Sequence, residues 1–490
     1  MARQPSLHRL PLARLYLLAG LSIILYLVAF ILPYNLLTYV KDSPISLPEI
    51  AQRQYLPAAT FLLAFATLFA AYGLAYQTCQ RQADRRIVPF VLLAGTACAI
   101  LLSLMHPGGA GDVIDYVSQG ETLGIHGENP LVVPPEQVPG AVFARYSGYR
   151  HVTSNYGPLW TWISALVVRT VDGENLALQI LAFKGIAVLA YLAQALLIYA
   201  ILRRSNPQQA VAGLLLFAWN PLVLYEFAAN GHNDATMMAF ALLGILMWQM
   251  DRPFLMVAAL TFSFLVKIPT APLLPIFLLA AARRRGPGRP FWATLIAGLL
   301  LTAAITGLAY LSLPDPLLAL SHLSNRAHLF THSLPKIGVL LLQLAGASAP
   351  AAESIVRSAA LGLLGAWYTM LLWQTGVHPT RPVRHAYHFV LFLLLFTTLW
   401  FQPWYVTWLV ALAALFPSPQ APGQASLFSF TAAASYLVYG FLWFWIPPVA
   451  NWGNNLGIHL IAVTVTYLAP WIFLATRRDR GGWHLLQQVK

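Results

Sequence analysis

The sequence predicts an all-α polytopic membrane protein: a bundle of about 14 transmembrane helices with interfacial helices on its outer face. Three observations carry that expectation. Hydrophobic residues make up 58% of the 490 residues and charged residues only 9%, far from the roughly 25% charged residues of a soluble domain. Apolar runs long enough to cross a bilayer recur along the whole chain. The basic residues fall between those runs on alternate sides.

A hydrocarbon core of about 30 Å needs about 20 apolar residues in a helix. Ten runs meet that length: 15–38, 56–77, 87–105, 176–202, 208–229, 234–250, 291–312, 354–374, 425–445 and 456–475. Four shorter ones, 253–266, 270–282, 386–400 and 403–416, form two pairs, broken at Lys267–Pro269 and at Gln402–Pro403. Proline removes a backbone donor and clashes with the preceding turn, so each pair is either one kinked helix or two short spans.

Charge decides between them. Lysine and arginine favour cytoplasmic loops. With a cytoplasmic N-terminus and two spans in each broken pair, 19 of the 29 basic residues fall inside, with only Asp84, Asp251 and Asp479 beside them. The inner side then carries +16 and the outer side −3. Counting either pair as one span inverts every later loop and destroys the bias. The chain is therefore expected to have fourteen spans and both termini in the cytoplasm. The formal charge of +13 reads as a topology signal, and no nucleic-acid partner is expected. The first run is too long for a signal peptide's apolar core and reads as a retained helix. Cys79 and Cys98 fall at or inside apolar runs and are expected to pack as small hydrophobes. The polar stretch 417–424 reads as a loop. No repeat or separate soluble domain is visible, so residues 1–490 read as one integral membrane domain.

Two outer loops stand out by length, 106–157 and 313–353, since connections usually run about 4–6 residues. The first carries Asp112, Asp115, Glu121, Glu128 and Glu136. Gly108, Gly109 and Gly111 let the chain turn before Asp112, and a short helix fits from Val113 to Leu123. Asp112 occupies the expected N-cap position; it is also placed to serve as a general base at the membrane surface. Asp115 lies three residues on, on the same face. The stretch 158–171 reads as an interfacial or re-entrant helix.

Ionisable residues at membrane depth are costly and point to function. Glu226, His232, Asn233 and Asp234 cluster in WNPLVLYEFAANGHND, around an Asn230–Gly231 turn. A hairpin tip and a functional cluster both fit. His232 and Asp234 could contribute to a metal site, but no further His or Cys at helix spacing completes one. Lys184 and Lys267 lie near the outer ends of their spans, placed to snorkel or to meet a phosphate. The second outer loop adds His322, Arg326, His328, His332 and Lys336, a set that suits an anionic lipid headgroup. Gln402, Trp404 and Tyr405 sit at an outer interface, where an aromatic belt is common.

Four pieces, in order, carry a resemblance. They are Gly111-Asp112-Val113 with Tyr116, Gln119-Gly120, Gly127 and Asn129-Pro130; Tyr156-Gly157-Pro158-Leu159-Trp160; Trp219-Asn220-Pro221-Leu222 running into Gly231-His232-Asn233-Asp234; and Gln402-Pro403-Trp404-Tyr405. Together they resemble the bacterial polyprenol-phosphate-mannose-dependent mannosyltransferases of the GT-C superfamily, above all the α-1,6-mannosyltransferases of actinobacterial lipoglycan synthesis. The resemblance implies a GT-C-like bundle in the bacterial plasma membrane, with its active site on the outer face. It implies a polyprenyl-phosphate sugar donor, mannose favoured, and a glycan or glycolipid acceptor among membrane lipids.

It also implies inversion at the sugar, with an acidic loop residue as base. Asp112 matches that position; Asp115 stands where the family commonly has a polar or basic residue, so the choice of base stays open between the two. Lys267, Arg326, His328 and His332 are the implied phosphate contacts. Tyr116, Tyr156, His232, Asn233, Asp234, Gln402, Trp404 and Tyr405 are the implied sugar and acceptor contacts. No metal or cofactor is expected. A transporter or flippase of lipid-linked sugars, and another lipid-linked sugar transferase or ligase, are the competing readings. Neither acceptor, linkage nor oligomeric state is legible.

Overall fold

A computed structural model describes residues 9–40, 47–81, 84–171, 173, 175–321, 330–416, 420–445 and 455–476. Arg326 and His328, with His322, lie outside the described residues, as do most of the basic residues of the two termini. Among the described residues there is no β-strand, only two isolated bridges, Asn35–Met105 and Thr331–Trp400. The chain is an all-α polytopic membrane protein.

Among the described residues, eight helices are long and apolar enough to cross a membrane: Leu12–Ile31, Tyr55–Gln80, Arg85–Ser103, Leu176–Ser205, Arg289–Leu311, Ala349–Val377, Gln420–Trp445 and Leu456–Thr476. Pro207–Ala218 and Pro221–Ala229 form a pair bent by 50°. The bend has a local cause. Asn220 Oδ1 accepts from the backbone N–H groups of Leu222 and Val223, capping a new helix that starts at Pro221. The remaining predicted segments fall on shorter helices, among them Asp234–Gln249, Pro253–Val266, Leu273–Arg284, Pro382–Thr397 and Pro403–Ala413. The helix Gln420–Leu437 begins inside the stretch expected to be a loop.

Both broken pairs fold back on themselves. At one end of Asp234–Gln249, Asp234 meets Lys267; at the other, the Arg284 guanidinium lies 3.6 Å from the centre of the Trp248 ring and Arg285 pairs with Asp251 at 3.2 Å. The segments 253–266 and 273–284 therefore run out and back. In the second pair Tyr387, near the start, packs 4.9 Å from Phe416, at the end. The proline breaks thus sit at hairpin tips, in the arrangement that the charge bias favours.

Glycine fixes two of the close approaches. Gly157 donates its N–H to the Val266 carbonyl at 3.0 Å, and a Cβ there would overlap the Leu265 carbonyl. Pro158, whose fixed φ suits a first helical position, then opens the helix Pro158–Thr170. That helix packs along Asp112–Gly124, where Gly120 and Gly124 lie against the backbone of Ser164 and Ala165. The outward faces of Arg289–Leu311 and Ala349–Val377 carry exposed Trp292, Leu300, Leu308, Ile355 and Trp373, an apolar surface that lipid tails can cover.

Candidate active site

The tips of both hairpins, the start of the Asp112 helix and the turn at Asn230–Asp234 converge at one end of the bundle. Gly111, not Asp112, takes the N-cap position; Asp112 is the first residue of the helix and its carboxylate caps nothing. It points instead toward His232, with Oδ2 3.5 Å from Nδ1. The side chain of Asp112 keeps 15% of its exposure while His232 has none, so Asp112 is the member of this pair that a ligand can reach.

The His232 imidazole lies between two carboxylates. Its Nε2 is 3.3 Å from Glu226 Oε2, and its ring stacks on Trp404 at 4.1 Å. Burial lowers the pKa of His232, but the bonds and charges of Asp112 and Glu226 outweigh it and raise the pKa to about 9. Burial likewise raises the pKa of Asp112, and the hydrogen bond and charge of His232, with the charge of Lys267 and a hydrogen bond from Tyr156, bring it below the ordinary value. The pair therefore rests as imidazolium and carboxylate at neutral pH.

Glu226 is fully buried in a π-helical turn, Tyr225–Ala229. It accepts from Asn230 Nδ2 at 2.7 Å and from the Tyr436 hydroxyl at 2.9 Å. Asn230 Oδ1 in turn accepts from the backbone N–H groups of Gly108 and Gly109, each at 3.1 Å. Gly231 takes φ +75°, the left-handed region that glycine enters freely, and completes the turn.

Asp234 faces a different partner set. Its Oδ2 accepts from Lys267 Nζ at 2.7 Å and its Oδ1 from Trp408 Nε1 at 2.7 Å. His232 and Asp234 are thus engaged in separate pairs, and among the described residues no three His, Cys, Asp or Glu side chains form a metal-binding group. Lys267 is not a surface lysine, being only 8% exposed. Its ammonium lies 5.8 Å from the centre of the Tyr156 ring and 5.7 Å from that of Tyr405.

Other predicted residues have supporting places. Tyr116 is buried, accepts from the Asn233 backbone N–H at 3.2 Å and packs edge-on against Tyr156 and Trp160. Asp115 accepts from Ser147 Oγ at 2.5 Å, tying the loop to the helix. Glu121 accepts from the backbone N–H groups of Val142 and Phe143. Lys184 neither snorkels nor reaches a headgroup: it is fully buried, and its ammonium donates to the carbonyls of Ser103 and Met105 at the end of a helix. His332 is buried against Tyr439 and bonds Thr466 at 2.9 Å; burial drops its pKa to about 3, so it presents a neutral ring rather than a cation.

A cavity of about 360 Å³ lies beside the cluster, with Gly108, Gly109, His332, Gln402, Pro403 and Tyr436 in its wall. Asp112 and Lys267 do not line it. Within the cluster the Asn233 amide and the Trp404 indole N–H are buried without a protein partner, and such groups call for a ligand or water. Trp408 and Tyr436 were not foreseen as part of the cluster. Each lies more than 170 residues from the carboxylate it serves, and neither carries a local signal.

Comparison with known proteins places this arrangement in a family. The family described as "Alpha-(1->6)-mannopyranosyltransferase, N-terminal domain" matches residues 14–283, a stretch that holds Asp112, Glu226, His232, Asp234 and Lys267. Alpha-(1->6)-mannopyranosyltransferase A of Corynebacterium glutamicum is 23% identical over 389 residues, covering 73% of this chain and 78% of that protein. An alpha-(1->6)-mannopyranosyltransferase of Mycobacterium tuberculosis is 29% identical over 150 residues, covering 29% of this chain and 24% of that one. The chain is a glycosyltransferase, and it belongs to the alpha-(1->6)-mannopyranosyltransferase family.

Proposed function

We propose that the chain transfers mannose, with inversion, from a polyprenyl-phosphate donor to a hydroxyl of a glycan or glycolipid at the outer face of the bacterial plasma membrane. The observation that carries this reading is Asp112: an ionised, partly exposed carboxylate at the edge of a buried cluster that also holds a cation. Asp112 takes the proton of the acceptor hydroxyl. The freed oxygen attacks the anomeric carbon, and the bond from that carbon to the phosphate oxygen breaks on the opposite side. The leaving polyprenyl phosphate carries away the electron pair, and its charge needs a preplaced donor. Lys267 serves that role, with Tyr156 and Tyr405 as walls for the sugar and Asn233 and Trp404 as its hydrogen-bonding groups. Asp115, held by Ser147, supports the loop and leaves the base role to Asp112. Chain direction supports the sidedness: the cluster lies at the hairpin tips, and Arg252, Arg284 and Arg381 lie at the opposite helix ends.

The test uses membranes containing the full-length chain and radiolabelled polyprenyl-phosphate mannose. Asp112→Asn should accumulate normally and lose about 100-fold or more of the transfer rate, the scale of a general base. Full activity in that variant overturns the base assignment. Transfer from a nucleotide sugar without any lipid-donor pool overturns the donor.

A further inference from the structure

Glu226 is a fully buried carboxylate in this end of the bundle. It stands inside an apolar run, where the membrane penalises a charge. A carboxylate is retained there only with partners that satisfy it. Two donors bond to it, the Tyr436 hydroxyl and the Asn230 amide, and His232 Nε2 faces it at ion-pair distance, 3.3 Å. A carboxylate offers acceptors only, so it suits all three, whereas a glutamine would turn an N–H₂ group toward a donor.

We propose that Glu226 is a positioning residue for transfer, holding Asp112 by two routes that start from one carboxylate. The inference rests on reading Asp112 as the base. The first route is the imidazole. A carboxylate facing each ring nitrogen, at 3.5 and 3.3 Å, favours a proton on both, the imidazolium form. Glu226 thereby fixes the charge state and the orientation of the ring that faces Asp112. The raised pKa of His232 agrees with this geometry. The groups facing His232 are Asp112 from its helix, Glu226 from the preceding turn and the Trp404 ring from the second hairpin tip. Lys267 acts on Asp112 by charge and is itself paired with Asp234.

The second route is mechanical. Glu226 orients the Asn230 amide, whose oxygen collects the N–H groups of Gly108 and Gly109. Those two glycines end the turn into the Asp112 helix, so the backbone that launches the base is pinned to the same carboxylate. Glu226 and Asn230 are four residues apart and so share one face of the π-helical turn and its end; such turns recur at functional sites.

The experiment measures initial rates against donor concentration and pH, in membranes containing the full-length chain and radiolabelled polyprenyl-phosphate mannose. Glu226→Gln should lower kcat about ten- to hundredfold, the cost of a misplaced reacting group, with donor KM within about twofold. It should also move the alkaline limb of the pH profile toward neutrality, because His232 loses one of the two charges that hold its proton. Asn230→Ala should lower kcat and leave the alkaline limb in place, since it cuts only the second route. Glu226→Asp should recover part of the rate and of the limb. Should Glu226→Gln fail to accumulate, Glu226→Asp and Asn230→Ala carry the test: parent rates in both overturn the proposal. A Glu226→Gln protein that loses donor KM alone, or that runs at the parent rate with the parent pH profile, also overturns it. Asp112→Asn separates the two readings. An inactive Asp112→Asn beside an unaffected Glu226→Gln sinks the positioning role only, whereas an active Asp112→Asn sinks the base assignment.

Discussion

Lys267 and Asp234 meet at 2.7 Å where the carboxylate has no solvent exposure. The pair joins the tip of one hairpin to the first turn of the helix before it. Removing one partner of a buried ion pair strands the other charge and costs about 3–5 kcal/mol. Lys267→Met should therefore lower the thermal unfolding temperature sharply. Lys267→Met combined with Asp234→Leu should regain most of the stability, because no charge is left stranded, yet remain deficient in sugar transfer. Recovery of transfer in the double variant would show that Lys267 serves the fold alone.

His232 makes stability depend on pH. Its folded pKa of about 9 stands above the ordinary imidazole value of 6.5, so the imidazolium favours the folded state. That contribution is fully present below about 6.5 and is lost as pH rises through about 9. The thermal unfolding temperature of the detergent-solubilised protein should fall across this window. In His232→Gln the fall attributable to this group should vanish, and an unchanged curve in that variant would remove His232 from the account.

Asp115 and Asp112 are three residues apart and should respond differently. Asp115 accepts from Ser147, and a bond to a charged acceptor contributes about 1.5–3 kcal/mol. Asp115→Asn should lose stability on that scale and less than about tenfold in rate, well short of what loss of a general base costs. Ser147→Ala should match its stability loss. A rate collapse in Asp115→Asn as complete as in Asp112→Asn would reverse the assignment of the base.

Gly157 has no room for a methyl group against the Leu265 carbonyl. Gly157→Ala should push the Tyr156 segment away from the hairpin that carries Lys267, at about 1–3 kcal/mol, and lower transfer with it. Gly185, with nothing within 4 Å of an added Cβ, is the control: Gly185→Ala should leave both unfolding temperature and rate at or above the parent values.

Much of this was legible because the bilayer reduces folding to apolar length and charge placement. The break at Lys267–Pro269 and the break at Gln402–Pro403 could be read as hairpin tips from arginine bias alone, and the ring contacts of Trp248 and Tyr387 bear that out. The cluster could be located because polar residues at membrane depth are rare. Its pairing could not. Which carboxylate takes Lys267, and which takes His232, depends on rotations of helices that no local pattern encodes. Lys184 shows the limit: near a helix end it looked free to reach water, but the carbonyls ending the neighbouring helix hold it inside. The shift of Asp112 from cap to first helical residue is a single-residue matter that the glycines around it leave undetermined.

The short hairpin arms set the depth at which chemistry happens. Pro253–Val266 has 14 residues and Leu273–Arg284 has 12, rises of about 21 Å and about 18 Å. A full hydrocarbon crossing is about 30 Å. Lys267 is therefore reached some 9 Å too soon, so the bilayer either thins around this hairpin or closes over its tip. Where it closes over, the ammonium is recessed from the plane of the headgroups; where it thins, that plane dips to the ammonium. A donor anchored by its own lipid tail meets that recess without being lifted into water, while a soluble sugar nucleotide would have to sink to it. On the proposed function, helix length thus favours a lipid-anchored donor before any side chain is consulted.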